Sequence, residues 1–400
     1  PAMIEGGGLG VVEPREIGPM RDQVPNGVVD VLVADEAEAV DVARRYLSYF
    51  QGPQQVWEAP DQRLLRHVVP ENRVRVYDVR AVIDGRADTG SVLELRRGFA
   101  AGIVTALVRV EGRPMGLLAN DPSHLGGAID RDGADKAARF MQLCDAFGLP
   151  IVSLVDTPGF MVGPESERTA TVRHFSRMFV VGANVDVPIG MVVVRKCYGL
   201  GGQSMGGGST KAPQFCVAWP TGEFGGMGLE GAVRLGFRKE LEAVDDPVER
   251  EALYRKLVAE MYEQGKATNT ASVFEIDDVI DPVETRRWIV QGFRENGCTS
   301  PQRRHLVTRR RRVRRRTGPD HDRTSLEVEL GVSRRCSGDD QVQAVADDRG
   351  GCEQADRGDR GAGGRAQARL GAVVRTADGL LRPRREPDQG DREQDDDGDA

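Results

Sequence analysis

The stretch Ile189-Gly190-Met191-Val192-Val193-Val194-Arg195-Lys196-Cys197-Tyr198-Gly199-Leu200-Gly201-Gly202-Gln203-Ser204-Met205-Gly206-Gly207-Gly208 decides the fold. Its first six residues, 189–194, form an apolar, β-rich run of strand length, and a long glycine-rich turn follows at once. The same grammar occurs on either side. Residues 151–156 form a second run, closed by Thr157-Pro158-Gly159-Phe160. Residues 215–219 form a third, closed by Pro220-Thr221-Gly222-Glu223-Phe224-Gly225-Gly226-Met227-Gly228. Runs at 103–110 and 114–119, joined by Glu111-Gly112-Arg113, read as a hairpin.

Helical periodicity fills the intervals. In 133–147, Ala137, Phe140, Met141, Cys144 and Phe147 recur at helical spacing, and Gly148 followed by Pro150 marks the end. Residues 165–181 read as the next helix, and 231–235 belong to a short one. Residues 247–265 and 282–293 read as two long helices capped by Asp245, Asp246 and Asp281. Strand and helix alternating in this way predict an α/β protein with a parallel sheet and helical crossovers. Upstream, 27–33 is extended, and 34–49 reads as a helix with Ala39, Val40, Ala43, Tyr46 and Leu47 on one side. Pro53, Pro60 and Pro70 punctuate a connector.

Composition divides the 400 residues unevenly. Residues 297–400 hold 22 of the 55 Lys and Arg, all of them Arg, yet no Phe, Tyr, Trp, Ile, Met, Lys or Asn. Such a segment cannot supply a core, so disorder is expected there. The missing residue types and the wealth of Arg, Gly, Ala and Asp are those of GC-rich DNA read out of frame. The net charge of the whole chain is −7, and the part with the apolar runs carries the acidic excess. That argues against a nucleic-acid binder, whose basic face would lie on the folded part. Arg309 to Arg316, interrupted by Val313, reads as a solvated run. No apolar stretch reaches the length of a membrane span, and the scattered cysteines lack metal spacing. A cytoplasmic, reducing setting fits.

Strand-to-helix turns are where α/β proteins bind ligands, and three glycine-rich ones lie at the same end of successive strands. Each glycine alone reads as a turn former; together they offer backbone NH groups to a bound atom. Two rivals fail on pattern. The dinucleotide fingerprint lacks its third glycine, with Ser204 in that place. Asp156-Thr157-Pro158-Gly159 has the form of a nucleotide switch, but no phosphate loop precedes it. His67, His124 and His174 form no metal pair or nucleophile system, and Lys136 and Lys196 read equally as anion ligands or salt-bridge partners. What remains is an oxyanion hole built from amides, which suits chemistry through an enolate.

At these turns the sequence resembles the carboxyltransferase (β) subunits of biotin-dependent acyl-CoA carboxylases of the propionyl-, methylcrotonyl- and acetyl-CoA type. The resemblance runs through Pro1-Ala2-Met3-Ile4-Glu5, Gly112-Arg113-Pro114, Lys136-Ala137-Ala138-Arg139-Phe140, Val155-Asp156-Thr157-Pro158-Gly159-Phe160, Arg195-Lys196-Cys197-Tyr198-Gly199, Ala218-Trp219-Pro220 and Met227-Gly228-Leu229-Glu230-Gly231. It covers nearly all of 1–296 in order.

The resemblance implies a crotonase-like fold of ββα spirals. Residues 1–52 would be the end of an acyl-CoA-side lobe, 53–76 a linker, 77–296 a biotin-side lobe and 297–400 an unrelated tail. A chain starting there would lack most of the acyl-CoA site. The implied reaction moves a carboxyl group from carboxybiotin, borne on a carrier protein, to the α-carbon of a CoA thioester without a metal. The resemblance places the catalytic amides at Leu200 and Gly201 and the biotin contacts at Thr157, Pro158, Gly159, Phe160, Tyr198, Gly199 and Gly202. It marks Gln203 for acyl specificity. Tyr198-Gly199-Leu200-Gly201 is nearer the Tyr-Gly-x-Gly of methylcrotonyl-type subunits than the Tyr-Gly-Gly-Ala of propionyl-type ones, which leaves the acyl group open. Implied partners are a biotin carboxylase and biotin carrier subunit and further copies of the chain, commonly as a hexamer; neither nucleic acid nor membrane is implied. A biotin-dependent acyl-CoA decarboxylase subunit and a non-catalytic assembly subunit are the alternatives.

Overall fold

The computed structural model describes residues 1–294; the expectation of disorder in 297–400 lies outside the described residues. The apolar runs become strands: β1 (Leu93–Leu95), β2 (Ile103–Val110), β3 (Arg113–Asn120), β4 (Ile151–Thr157), β5 (Ile189–Tyr198), β6 (Phe215–Ala218), β7 (Glu223–Gly225) and β8 (Asp278–Val279). They form one sheet in the order β1-β2-β3-β4-β5-β6-β8, and β7 pairs with β5. β1, β2 and β3 are antiparallel, whereas β3 to β6, β7 and β8 run parallel. The carboxyl ends of β3, β4 and β5 therefore share one end of the sheet.

Continuous apolar strands are needed because both faces are covered. Ile151 and Val155 of β4, with Met191 and Val193 of β5, pack on one side against the helices Arg131–Phe147 and Thr171–Gly182. Their alternates Val152, Leu154, Val192 and Val194 face Leu65, Val69, Val82 and Ile83 and the closing helix Thr285–Arg294. The proline-marked connector is thus a wrap that buries Leu65 and Val69 in the second layer.

Helix Arg131–Phe147 starts at Asp130, whose carboxylate accepts the Gly133 amide at 2.7 Å, and ends on the left-handed Gly148. Ala134, Ala137, Met141 and Cys144 are completely buried. Several readings need correction. Residues 165–181 are not one helix but two, Pro164–Arg168 and Thr171–Gly182. The Thr169 and Thr171 hydroxyls both donate to the Ser166 carbonyl, and Ala170 turns left-handed at φ 54° between them. This local competition is why Ser and Thr end helices.

The upstream helix is Glu36–Ser48; it packs through the expected Tyr46 and through Val42, with Tyr49 and Phe50 just past its end, and not through Val40 and Leu47, which are exposed. Asp246 caps Pro247–Gln264 and Asp245 does not. Pro282–Glu284 is a separate 3-10 turn before Thr285–Arg294. β5 runs on through Arg195–Tyr198, residues whose charge and neighbouring glycines read as loop, and β7 emerges inside the third glycine cluster.

Candidate functional site

At the carboxyl end of β4 and β5 the ladder is irregular. Val155 pairs with Val193, but Thr157 pairs with Cys197, so Arg195 and Lys196 are extra residues on β5. Bulges of this kind re-aim the chain and recur beside sites. The irregularity centres on the Asp156 carboxylate, 1% exposed. One oxygen accepts the Tyr77 hydroxyl at 2.9 Å and the Arg195 guanidinium at 3.0 and 3.1 Å. The other accepts the Lys196 amide at 3.2 Å and lies 3.6 Å from its ammonium. Burial shifts the Lys196 amine downward, against the pull of Asp156. Its ammonium donates to the Gly126 carbonyl at 2.6 Å.

Just beyond this network, Tyr198 gives way to a seven-residue helix, Gly199–Met205. The turn is crowded in a way that only glycine satisfies. Gly199 has φ +54°, and a Cβ there would lie 2.7 Å from the Gly226 carbonyl oxygen. On Gly201 a Cβ would lie 2.6 Å from Gly159 Cα and 3.0 Å from the Phe160 amide nitrogen. So the three glycine turns meet: Gly159-Phe160 after β4, Gly199 to Gly201 after β5, and Gly226 after β7. The first turn is held from beyond, since Ile129 donates to the Gly159 carbonyl at 3.0 Å and Met161 donates back at 2.9 Å. The Thr157 hydroxyl accepts the Gly159 amide at 3.1 Å. Phe160 stacks on Phe175 with ring centres 3.8 Å apart.

Among the expected site residues, Leu200 and Gln203 are the exposed face of the short helix, one turn apart, while Gly201, Gly202 and Ser204 face inward. Gly202 is pressed to Cys197, whose sulfur would sit 2.6 Å from an added Cβ. The Tyr198 ring is buried and its hydroxyl donates to Glu223 at 2.9 Å; burial first, then Glu223, push that phenol up. Pro158 and Gly159 are half-buried at the rim. The amides at the first turn of Gly199–Met205 lie at the helix's positive end, where such groups have no partner within the helix.

Other candidates do different work. His174 meets Asp135 at 2.7 Å and links two helices. Lys136 donates to the Phe99 carbonyl at 2.7 Å, and burial holds its ammonium down at about 8. Tyr77 was missed in the sequence, as was Arg73, which lies 3.6 Å from Glu223. A cleft of about 770 Å³ lined by Val29, Asp30, Arg80 and Glu94 shares no residue with the glycine turns. Among the described residues, no group of three or more His, Cys, Asp or Glu could hold a metal, and no helix is long and apolar enough to cross a membrane.

Residues 14–313 match the carboxyl transferase domain. The chain belongs to the carboxyl transferase domain family. It is 36% identical over 298 residues to the methylmalonyl-CoA carboxyltransferase 12S subunit of Propionibacterium freudenreichii subsp. shermanii, covering 70% of this chain and 55% of that one. It is 34% identical over 279 residues to the carboxyltransferase subunit of Haloferax mediterranei propionyl-CoA carboxylase, covering 67% and 53%. Among solved structures, a single-chain, multi-domain long-chain acyl-CoA carboxylase matches at 60% identity and TM-score 0.68, over 73% of this chain and 28% of that one. Transcarboxylase 12S, solved as a hexamer with methylmalonyl-CoA bound, matches at 33% identity and TM-score 0.66, over 76% and 60%. This carboxyl transferase domain has the crotonase-like fold that the resemblance implied. The chain spans about half the length of the curated relatives it matches.

Proposed function

We propose that the chain supplies the biotin side of a carboxyl-transfer site, with the amides of Leu200 and Gly201 donating to the ureido oxygen of carboxybiotin. The observation that carries this is the contact of Gly201 with Gly159 and Phe160. That contact fixes the first turn of Gly199–Met205 against the Gly159–Phe160 backbone, and on this reading Thr157 and Pro158, which precede it, complete the wall.

The chemistry needs little else from side chains. When the bond from the biotin nitrogen to the carboxyl carbon breaks, its electron pair stays on the ureido group. Fixed donors at that oxygen stabilise the charge, each worth about 2.7–4 kcal/mol. The ureido anion is basic enough to take the α-proton of the thioester, and the resulting enolate attacks the released carboxyl carbon. On this reading 77–296 is the biotin-side lobe, 53–76 the connector and 1–52 the end of the acyl-CoA-side lobe. Gln203, exposed one turn from Leu200, is the residue to which this reading gives acyl specificity. Tyr198, Gly199 and Gly202 support the turn from inside. The carboxyl donor is biotin on a carrier protein served by a biotin carboxylase, the acceptor is an acyl-CoA, no metal takes part, and the working form is a homo-oligomer, of hexamer type, in the cytoplasm.

The test is equilibrium binding of free biotin and of its analogue with sulfur in place of the ureido oxygen. Biotin should bind at least about tenfold more tightly, about 1.4 kcal/mol, because sulfur is the poorer acceptor. Equal binding, or no binding of biotin, would overturn the reading.

A further inference from the structure

We infer that Arg73 and Tyr77 are positioning residues that strap the connector over the root of the Gly199–Met205 turn and hold its amides in place; this rests on the biotin-side reading above.

The strap acts at two points three residues apart in β5, Arg195 and Tyr198. Tyr77 donates to Asp156 at 2.9 Å, and the neighbouring Arg75 carbonyl accepts from Arg195 at 2.8 Å. Arg195 also lies over the Tyr77 ring at 4.9 Å. These contacts close on the two extra residues of β5, which have no partner on β4, where the ladder is irregular; on the other side Lys196 pairs with Glu223 of β7. Arg73 faces Glu223 at 3.6 Å, and Glu223 in turn accepts the Tyr198 hydroxyl. The Arg73 guanidinium also stacks on the Tyr262 ring at 3.3 Å, and the Tyr262 hydroxyl donates to Glu230.

Arg195, Lys196 and Tyr198, between the regular part of β5 and Gly199, are therefore each tied to a carboxylate outside the strand, and Cys197 between them pairs with Thr157 and Phe224. Arg195 and Lys196 are tied through Asp156, and Tyr198 through Glu223. The strap completes both ties. An amide at a helix start points where the preceding residues aim it, so slack in Lys196 or Tyr198 passes directly to the amides of Leu200 and Gly201. Pre-organised donors are effective because they do not reorganise during reaction.

The experiment measures hydrogen exchange of the peptide covering 198–205 in the whole chain, for wild type, Tyr77→Phe, Arg73→Gln and Arg73→Lys, together with free-biotin binding. Tyr77→Phe keeps the ring and removes one hydrogen bond. Exchange at 198–205 should rise about tenfold in Tyr77→Phe and Arg73→Gln, a loss of about 1.4 kcal/mol of local protection, with 131–147 and 285–294 unchanged. Arg73→Lys, which keeps the charge facing Glu223, should restore most of the protection. Unchanged exchange at 198–205 overturns the strap, and so does an equal rise everywhere, which would mean that the variants only weaken the fold. If wild type does not bind biotin, the function fails, and the exchange data still decide the strap.

Discussion

Gly201 has no room for a methyl group, and Leu200 beside it is 61% exposed. The same backbone role is therefore expected to respond oppositely to two small substitutions. Leu200→Ala should leave biotin binding within about twofold, since the amide stays and the lost side chain faces solvent. Gly201→Ala must push the Gly159–Phe160 backbone away, an overpacking cost of about 1–3 kcal/mol, and should abolish measurable biotin binding while near-ultraviolet dichroism shows a folded protein. Lys136 gives a residue-scale prediction of another kind. Burial lowers its ammonium to about 8 from an ordinary 10.5, so below pH 8 the folded protein bears the cost of an enclosed charge. Between about 8 and 10.5 the unfolded chain binds more protons than the folded one, and stability must rise with pH. Urea titrations of wild type and Lys136→Met should show the difference shifting in favour of wild type across that window, by on the order of 3 kcal/mol. A constant difference would mean that Lys136 keeps its ordinary affinity for the proton.

Elements were legible wherever the signal was local. The apolar runs that became β2, β3, β4 and β5, and the period of Arg131–Phe147 with its Gly148 stop, depend on neighbours in sequence. What could not be read depends on distant partners. Tyr77 and Asp156 are 79 positions apart, and no spacing rule links them. The extension of β5 through Arg195 and Lys196 was hidden because charged residues beside glycines read as loop until a buried carboxylate neutralises them. In Glu36–Ser48 Tyr46 was read correctly on the packed face, but Val40 and Leu47 were placed there in error, because they are as apolar as the Val42 that is packed. The break at Ala170 carries its own test. A left-handed alanine costs about 1–2 kcal/mol, and glycine adds about 0.5–1 kcal/mol of unfolded-state entropy. Ala170→Gly should therefore stabilise by about 0.5–1 kcal/mol in chemical denaturation. Destabilisation would show that this turn depends on the alanine methyl.

For the whole described molecule, one sheet carries two covers, and the site lies at the end where its parallel strands finish. The second cover is made of distant pieces, the connector around Leu65 and the helix Thr285–Arg294, where Ile289 and Val290 are buried. Leu65→Ala should cost about 2–5 kcal/mol although a connector reads as dispensable, and a denaturation midpoint equal to wild type would contradict the wrap. The three glycine turns were legible as a group in the sequence, since each follows a strand. Their contact was not, because it depends on the pairing of β7 with β5. The claim that these turns hold a ureido oxygen on two named amides is tested most directly by nuclear magnetic resonance of the chain labelled with nitrogen-15 leucine and glycine, titrated with free biotin. The account predicts downfield shifts of the Leu200 and Gly201 amide protons that follow one binding curve, with the remaining glycines outside the three turns unmoved. Shifts confined to other amides, or none at those two up to the solubility limit of biotin, would contradict it.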